Sequence, residues 1–497
     1  MEQPGGARES RTRAGWETRV GRGRAALVLL GPAMFLAVYF APAFGPASDP
    51  SGISFPLTHQ GKAAIGLALM AALWWIFEVV PIGVTGLAVG AMQPLFFIRP
   101  AREAFRDFLD PALMFVFGLI IFGVAFTRSG LARRLAYKTM AMAGESASLV
   151  LLGCMLLTAA LSHFFIHTAV VAAVFPLLVG VSTFYDETGK PTNFGKSLFL
   201  GMAFASGAGS IVSLLGSARA PVALGIFSEF TGKNVDFLEF SKTMAVVAWP
   251  VVLLVWAYLS VALKPEKGVM PGLRKRAGEL SARMGPITAQ EIILAVLLLF
   301  AALMMSLQSF LPPLRFLDRP AIIVSCAVLL FVFRVLAIKD LEAVPWNIVL
   351  LFGGAFSLGL CLWQTGAAKW LALNLVALLG PGHGTAFLVV TALSMLLVTN
   401  VIMNVVTISV LLPIALIAST FFGFGPGLIL YLALAVAGMP FLLLSGVASN
   451  LIACESRQFT AVEFFRHGAV ATLILLFVLA IAVRFIWPLL GMNPFAG

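Results

Sequence analysis

Two stretches of this chain set polar side chains into otherwise apolar sequence in the same order. SHFFIHTAVVAAVFP (162–176) carries Ser162, His163, His167 and Thr168, and TNVIMNVVTISVLLP (399–413) carries Thr399 and Asn404. Two further segments, GSARA (216–220) and GVASN (446–450), join glycine to Ser217, Arg219, Ser449 and Asn450. These residue types suit ion binding. A hard cation such as sodium takes oxygens from unwound backbone carbonyls, completed by Ser, Thr or Asn, whereas an anion takes donors from hydroxyls, amides and half-helix N-termini. Arg219 is a permanent cation in apolar surroundings, and an anion gripped in a bidentate way would pair it. A position nearer the membrane surface would instead let it snorkel. His163 and His167 are four apart, as metal ligands on one helix face can be. The zinc-protease pattern needs Glu after the first His, where Phe164 stands, so no metal is expected. His167 is read as a substrate or proton contact, and His163 as structural.

The elements that must hold these residues are membrane helices. Of 497 residues, 60% are hydrophobic and 11% charged, with a mean hydropathy of +1.00, beyond what a soluble chain needs. Apolar runs able to cross a hydrocarbon core of about 30 Å fall at 25–44, 62–80, 83–98, 111–127, 195–230, 240–263, 292–311, 322–337, 346–364, 428–454 and 468–490. The runs at 195–230 and 428–454 contain breaks. That predicts an all-α polytopic membrane protein with about eleven transmembrane helices, and the two polar-then-apolar segments read as re-entrant hairpins. A signal peptide at 25–44 is disfavoured by the length of the run; residues 1–24 read as a disordered basic cytoplasmic tail. The net charge of +11 is topological. The tail, Arg128, Arg133, Arg134 and Lys138, and the 264–283 loop all fall on one side, which the positive-inside rule makes cytoplasmic. Arg99, Arg102 and Arg106, alternating with Glu103, Asp107 and Asp110, read as an interfacial helix. Cys154, Cys326, Cys361 and Cys454 read as free thiols.

The halves repeat. Residues 114–136 match 348–372, Pro176 matches Pro413 (413 − 176 = 237), and FASGAGSIVSLLGSARAP (204–221) answers MPFLLLSGVASN (439–450). The order is helix, hairpin, broken helix, helix, twice. An odd number of crossings between the copies inverts the second, the pattern of carriers that bind substrate near the bilayer midplane.

WWIFEVVPIGVTGL (74–87), DPALMFVFG (110–118), PWNIVLLFGG (345–354), QTGAAKWLA and both hairpin segments resemble the divalent anion:sodium symporters, carriers of dicarboxylates, citrate or sulfate. The resemblance implies a homodimer working as an elevator, with a scaffold domain at 25–140 and 291–380 and a transport domain at 146–263 and 384–490. It also gives Glu78 a family counterpart, expected to make a scaffold hydrogen bond. The site departs from the family, which carries Ser-Asn-Thr at each tip. Ile166-His167-Thr168 and Met403-Asn404-Val405 stand here.

The anion is accordingly expected to meet His167, Thr168, Ser217, Arg219, Asn404, Ser449 and Asn450, and a cation to meet Ser162, Gly216, Thr399, Asn404 and Gly446. No cofactor is expected beyond Na+ or H+ as coupling ion. Sodium dependence is expected to be weak or absent, with His167 protonation or exchange in its place. The reading is a secondary active transporter in a bacterial inner membrane, partnered by lipid and a small anion and by no nucleic acid. Alternatives are the large membrane subunit of a binding-protein-dependent carrier and a membrane-embedded hydrolase.

Overall fold

The computed structural model describes residues 22–380 and 382–491. The expected tail lies outside the described residues up to position 21, and the first helix among the described residues is Arg22–Phe40. In chain order the helices are α1 Arg22–Phe40, α2 His59–Ile76, α3 Ile82–Leu95, α4 Ala101–Arg106, α5 Pro111–Ser129, α6 Leu131–Ala143, α7 Ala147–Phe164, α8 His167–Tyr185, α9 Asn193–Gly209, α10 Arg219–Thr231, α11 Phe237–Ala262 and α12 Leu273–Arg283. They continue as α13 Ala289–Leu307, α14 Arg319–Val332, α15 Ile338–Glu342, α16 Trp346–Gln364, α17 Ala367–Leu379, α18 Gly384–Val401, α19 Asn404–Phe421, α20 Pro426–Ala437, α21 Ala448–Cys454, α22 Ala461–Ile481 and α23 Trp487–Leu489. One two-residue ladder, Ala47–Ser48 with Ser54–Phe55, accompanies them. Among the described residues, nine helical stretches are long and apolar enough to cross a membrane, beside five shorter apolar helices.

Local chemistry sets the boundaries. Asp110 accepts from Ala112 N at 2.8 Å with Pro111 in the first turn of α5, and Gly130, at φ 81°, ends it in the left-handed region. Thr192 caps α9, and Thr288 and Thr460 form capping boxes with Glu291 and Glu463. The repeat reappears as element order: α5 to α11 is helix, helix, hairpin, interrupted helix, helix, and α16 to α22 is the same series. The tips share their backbone conformation. Phe165 (φ −127°, ψ 148°) and Ile166 (−51°, 122°) correspond to Ile402 (−118°, 149°) and Met403 (−51°, 140°).

The first compact unit comprises 1–108 and 346–374. Its seam is the contact of α3 with α16, where Gly83 packs on Asn347, and Gly86 and Gly354 meet backbone to backbone. Small residues allow this approach between membrane helices. Two expectations are corrected here. Arg99 lies outside the short helix α4 and is buried; its Nη1 donates to Asp107 Oδ2 at 2.8 Å and Gln93 Oε1 at 3.0 Å, because an interior Arg must be paired. Glu78 is exposed at φ 44°, and no scaffold hydrogen bond from it is seen among the described residues.

The second unit comprises 109–345 and 375–497. Here α5 packs on α14, α10 and α8, so 109–140 and 291–345 group by contact with segments expected to move. Helix α6 packs on α12, which sets the basic clusters of Arg133 and Lys138 and of Arg274, Lys275 and Arg276 side by side. Arg134 anchors them, donating to Glu291 Oε1 at 3.0 Å and Gly285 O at 2.8 Å.

Candidate ion-binding site

Each hairpin is laced to the break of its own repeat. At the first tip, His167 N donates to Gly216 O at 3.2 Å, and a Cβ on Gly216 would collide with Ser162 O. At the second, a Cβ on Gly446 would come within 2.9 Å of Thr399 O, and Thr399 Oγ1 donates to Ala437 O at 3.1 Å. Ser162 and Gly216, and Thr399 and Gly446, are thus two corresponding cradles lined by backbone carbonyls. The repeats also interlock: α10 packs on α19, and α21 on α8.

Arg219 opens α10, and at 1% exposure it does not snorkel. Its Nη2 donates to Ser210 Oγ at 2.7 Å, and Ser210 Oγ donates to Gly207 O at 2.7 Å. The guanidinium reaches the second break as well, since a Cβ on Gly438 would lie 2.7 Å from Nη2.

Four expected residues present buried polar atoms with no protein partner: Ser162 Oγ, Ser217 Oγ, Ser449 Oγ and Arg219 Nη1. An unpaired buried donor costs about 1–3 kcal/mol; other buried polar atoms among the described residues also lack a partner, and these four are set apart by lying together at the hairpins and breaks. Asn450 differs. Its Nδ2 donates to Pro440 O at 2.9 Å and Leu443 O at 3.3 Å, holding its own break in shape. Asn404 is buried at the start of α19, and Thr168 is half-buried in the first turn of α8. His167 Nδ1 lies 3.4 Å from Gly216 O, which can only accept, so a hydrogen bond between them has Nδ1 as its donor. His163 packs edge-on against Trp249, centroids 5.1 Å apart.

Asn400 was overlooked in the sequence. Its Oδ1 accepts from Leu442 N at 2.9 Å and Leu443 N at 3.0 Å, and its carbonyl accepts from Ser445 Oγ at 3.1 Å. The signal was available, as a buried amide beside Thr399 at the place matching His163 (163 + 237 = 400). Ser210, the partner of Arg219, carried no such signal.

A cleft of about 590 Å³ opens beside Leu214 of the first break along the Pro221, Gly225 and Ser228 face of α10. Its carboxylates, Asp110, Glu229, Asp236 and Asp318, outnumber Arg315 and Arg319. Four carboxylates against two guanidinium groups make it a poor match for an anion.

The family described as the sodium:sulfate symporter transmembrane region matches residues 33–493. The sodium-dependent dicarboxylate transporter SdcS of Staphylococcus saprophyticus is 25% identical over 486 residues, covering 93% of this chain and 91% of that protein. SdcS of Staphylococcus aureus is 25% identical over 487 residues with the same coverage. Among solved structures, the YdaH transporter of Alcanivorax borkumensis aligns with a TM-score of 0.53 at 14% identity, over 95% of this chain and 99% of that one. Neisseria gonorrhoeae MtrF, described with a class of antimetabolite efflux pumps, gives 0.53 at 11% identity over 94% and 95%. Those two likenesses concern the fold alone. The paired hairpins and breaks and a family match running almost end to end lead to one conclusion: this chain is an integral membrane transporter and belongs to the sodium:sulfate symporter family.

Proposed function

We propose that the protein carries a small dianion, a dicarboxylate in the first instance, across the membrane together with sodium. The observation that carries this reading is the set of buried, unpartnered atoms on Ser162, Ser217, Ser449 and Arg219 where the hairpins are laced to the breaks. Hydroxyls of Thr168, Ser217 and Ser449 and the amide of Asn404 supply donors for carboxylate oxygens. Carbonyls at the Ser162–Gly216 and Thr399–Gly446 cradles supply oxygens for the cation. Sodium is favoured over a proton on His167 because both cradles keep their carbonyls and the His167 ring already faces Gly216 O. The dicarboxylate follows the names of the staphylococcal relatives.

In this reading segments 146–263 and 384–490 move as an elevator against 25–140 and 291–380 in a homodimer, with the N-terminus in the cytoplasm of a bacterial inner membrane. Uptake of labelled succinate, citrate and sulfate into proteoliposomes, with sodium or choline and at pH values either side of about 6.5, tests it. Sodium-stimulated succinate uptake is expected. Uptake that ignores sodium but follows pH and disappears in His167→Asn would replace sodium by the proton, and uptake of none of the three anions would remove the reading.

A further inference from the structure

We infer that Arg219 is a built-in counter-cation, so that a bound dianion is neutralised by its guanidinium and a single sodium ion. The inference rests on the dianion reading above and adds to it the number of coupling ions.

The guanidinium sits where two interrupted helices end. On one side it donates to Ser210 Oγ, immediately past the C-terminus of α9; on the other it touches Gly438, immediately past the C-terminus of α20. A helix C-terminus carries roughly half a negative charge, so two that converge present about one unit to the space between them. The half-helices α10 and α21 open at the same two breaks with the opposite partial charge, so the helix ends offset one another and the two charges of a dianion are what cations must meet. Arg219 supplies one such cation permanently. Its position touches both cradles: the backbone of Ser210 packs against Gly216, and Ala437, next to Gly438, accepts the hydroxyl of Thr399. Only one terminal nitrogen of the guanidinium is committed within the protein. Nothing acidic pairs with it, since none of the ion pairs among the described residues includes Arg219. A purely structural Arg in such surroundings would have its charge matched by a carboxylate; here the charge is left for a ligand.

The test is the sodium dependence of succinate binding and uptake by the reconstituted full-length protein. The wild type is expected to show a logarithmic slope near one for sodium, Arg219→Gln a slope near two with at least tenfold weaker succinate binding at low sodium, and Arg219→Lys a slope near one. Ser210→Ala keeps the charge and loses only the hydrogen bond, so it should keep the wild-type slope. A wild-type slope of two or more overturns the inference without any variant, even if Arg219→Gln fails to fold. So does an Arg219→Gln slope equal to that of the wild type. Absence of succinate uptake under all conditions would instead strike the dianion reading.

Discussion

The carbonyl oxygen of Ser162 occupies the place that a Cβ at position 216 would need, so at this point the first hairpin and the first break meet backbone to backbone. The approach leaves the Ser162 and Ser210 carbonyls crowded against Gly216, a concentration of oxygens that an ordinary helix would have spent on its own ladder.

Gly216→Ala should therefore disable transport more severely than Gly446→Ala. The first methyl meets two backbone oxygens and the second meets Pro440 Cβ at 2.8 Å and Thr399 O at 2.9 Å. Overpacking of this kind costs about 1–3 kcal/mol where neighbours can shift, and backbone cannot shift cheaply. Thermal unfolding in detergent alongside uptake would rank the two; equal, near-normal uptake by both would contradict the geometry.

Ser162→Ala, Ser217→Ala and Ser449→Ala break no internal hydrogen bond. Each should leave the melting temperature unchanged or raised, because an unpaired buried hydroxyl costs about 1–3 kcal/mol. Ligand affinity should nonetheless fall, by roughly tenfold for the loss of about 1.4 kcal/mol. Ser162→Ala should weaken sodium dependence, and the other two succinate affinity. A lowered melting temperature with unchanged affinity would mark these serines as structural.

Asn450→Ala should behave in the opposite way. Removing the amide leaves Pro440 O and Leu443 O without their donor, so a destabilisation of about 1–3 kcal/mol is expected. Transport should drop in proportion to folded protein, and uptake normalised to folded protein should distinguish this from lost substrate contact.

Acid stability should carry the mark of Glu266, which lies outside the spans. Burial would raise its pKa, but the amides of Asn193 (2.6 Å) and Phe194 (3.5 Å) and the Tyr185 hydroxyl (3.2 Å) overcome that and hold it below the ordinary glutamate value. A depressed folded value means the stabilisation is complete above about pH 4.3 and is lost as pH falls through the folded pKa. Glu266→Gln should flatten this part of an unfolding profile measured from about pH 3 to 6, and an unchanged profile would remove Glu266 from it.

The hairpins and breaks were legible because polar residues in long apolar runs have few places to go. Segment 346–364 read from hydropathy is the helix Trp346–Gln364. What stayed hidden was long-range. Arg99 looked interfacial because its neighbours alternate in charge, yet Ser357 O also accepts from it across 258 residues. Arg219 announced itself by type, but its contact at Gly438 comes from the other copy of the repeat. Asn450 is an expected ligand as one of the polar positions at corresponding places of both repeats; its two hydrogen bonds depend on the path of residues 440–443, which no local pattern encodes.

The seam between Gly86 and Gly354 has a thermodynamic consequence. Side chains that pack normally surrender rotamer entropy, up to about 2 kcal/mol for long ones, but two glycines that meet have none to surrender. Their dispersion contacts are obtained without that loss, and the backbone entropy given up by glycine is already spent in forming α3 and α16. Where these two glycines meet, no side chain can change rotamer and loosen the contact.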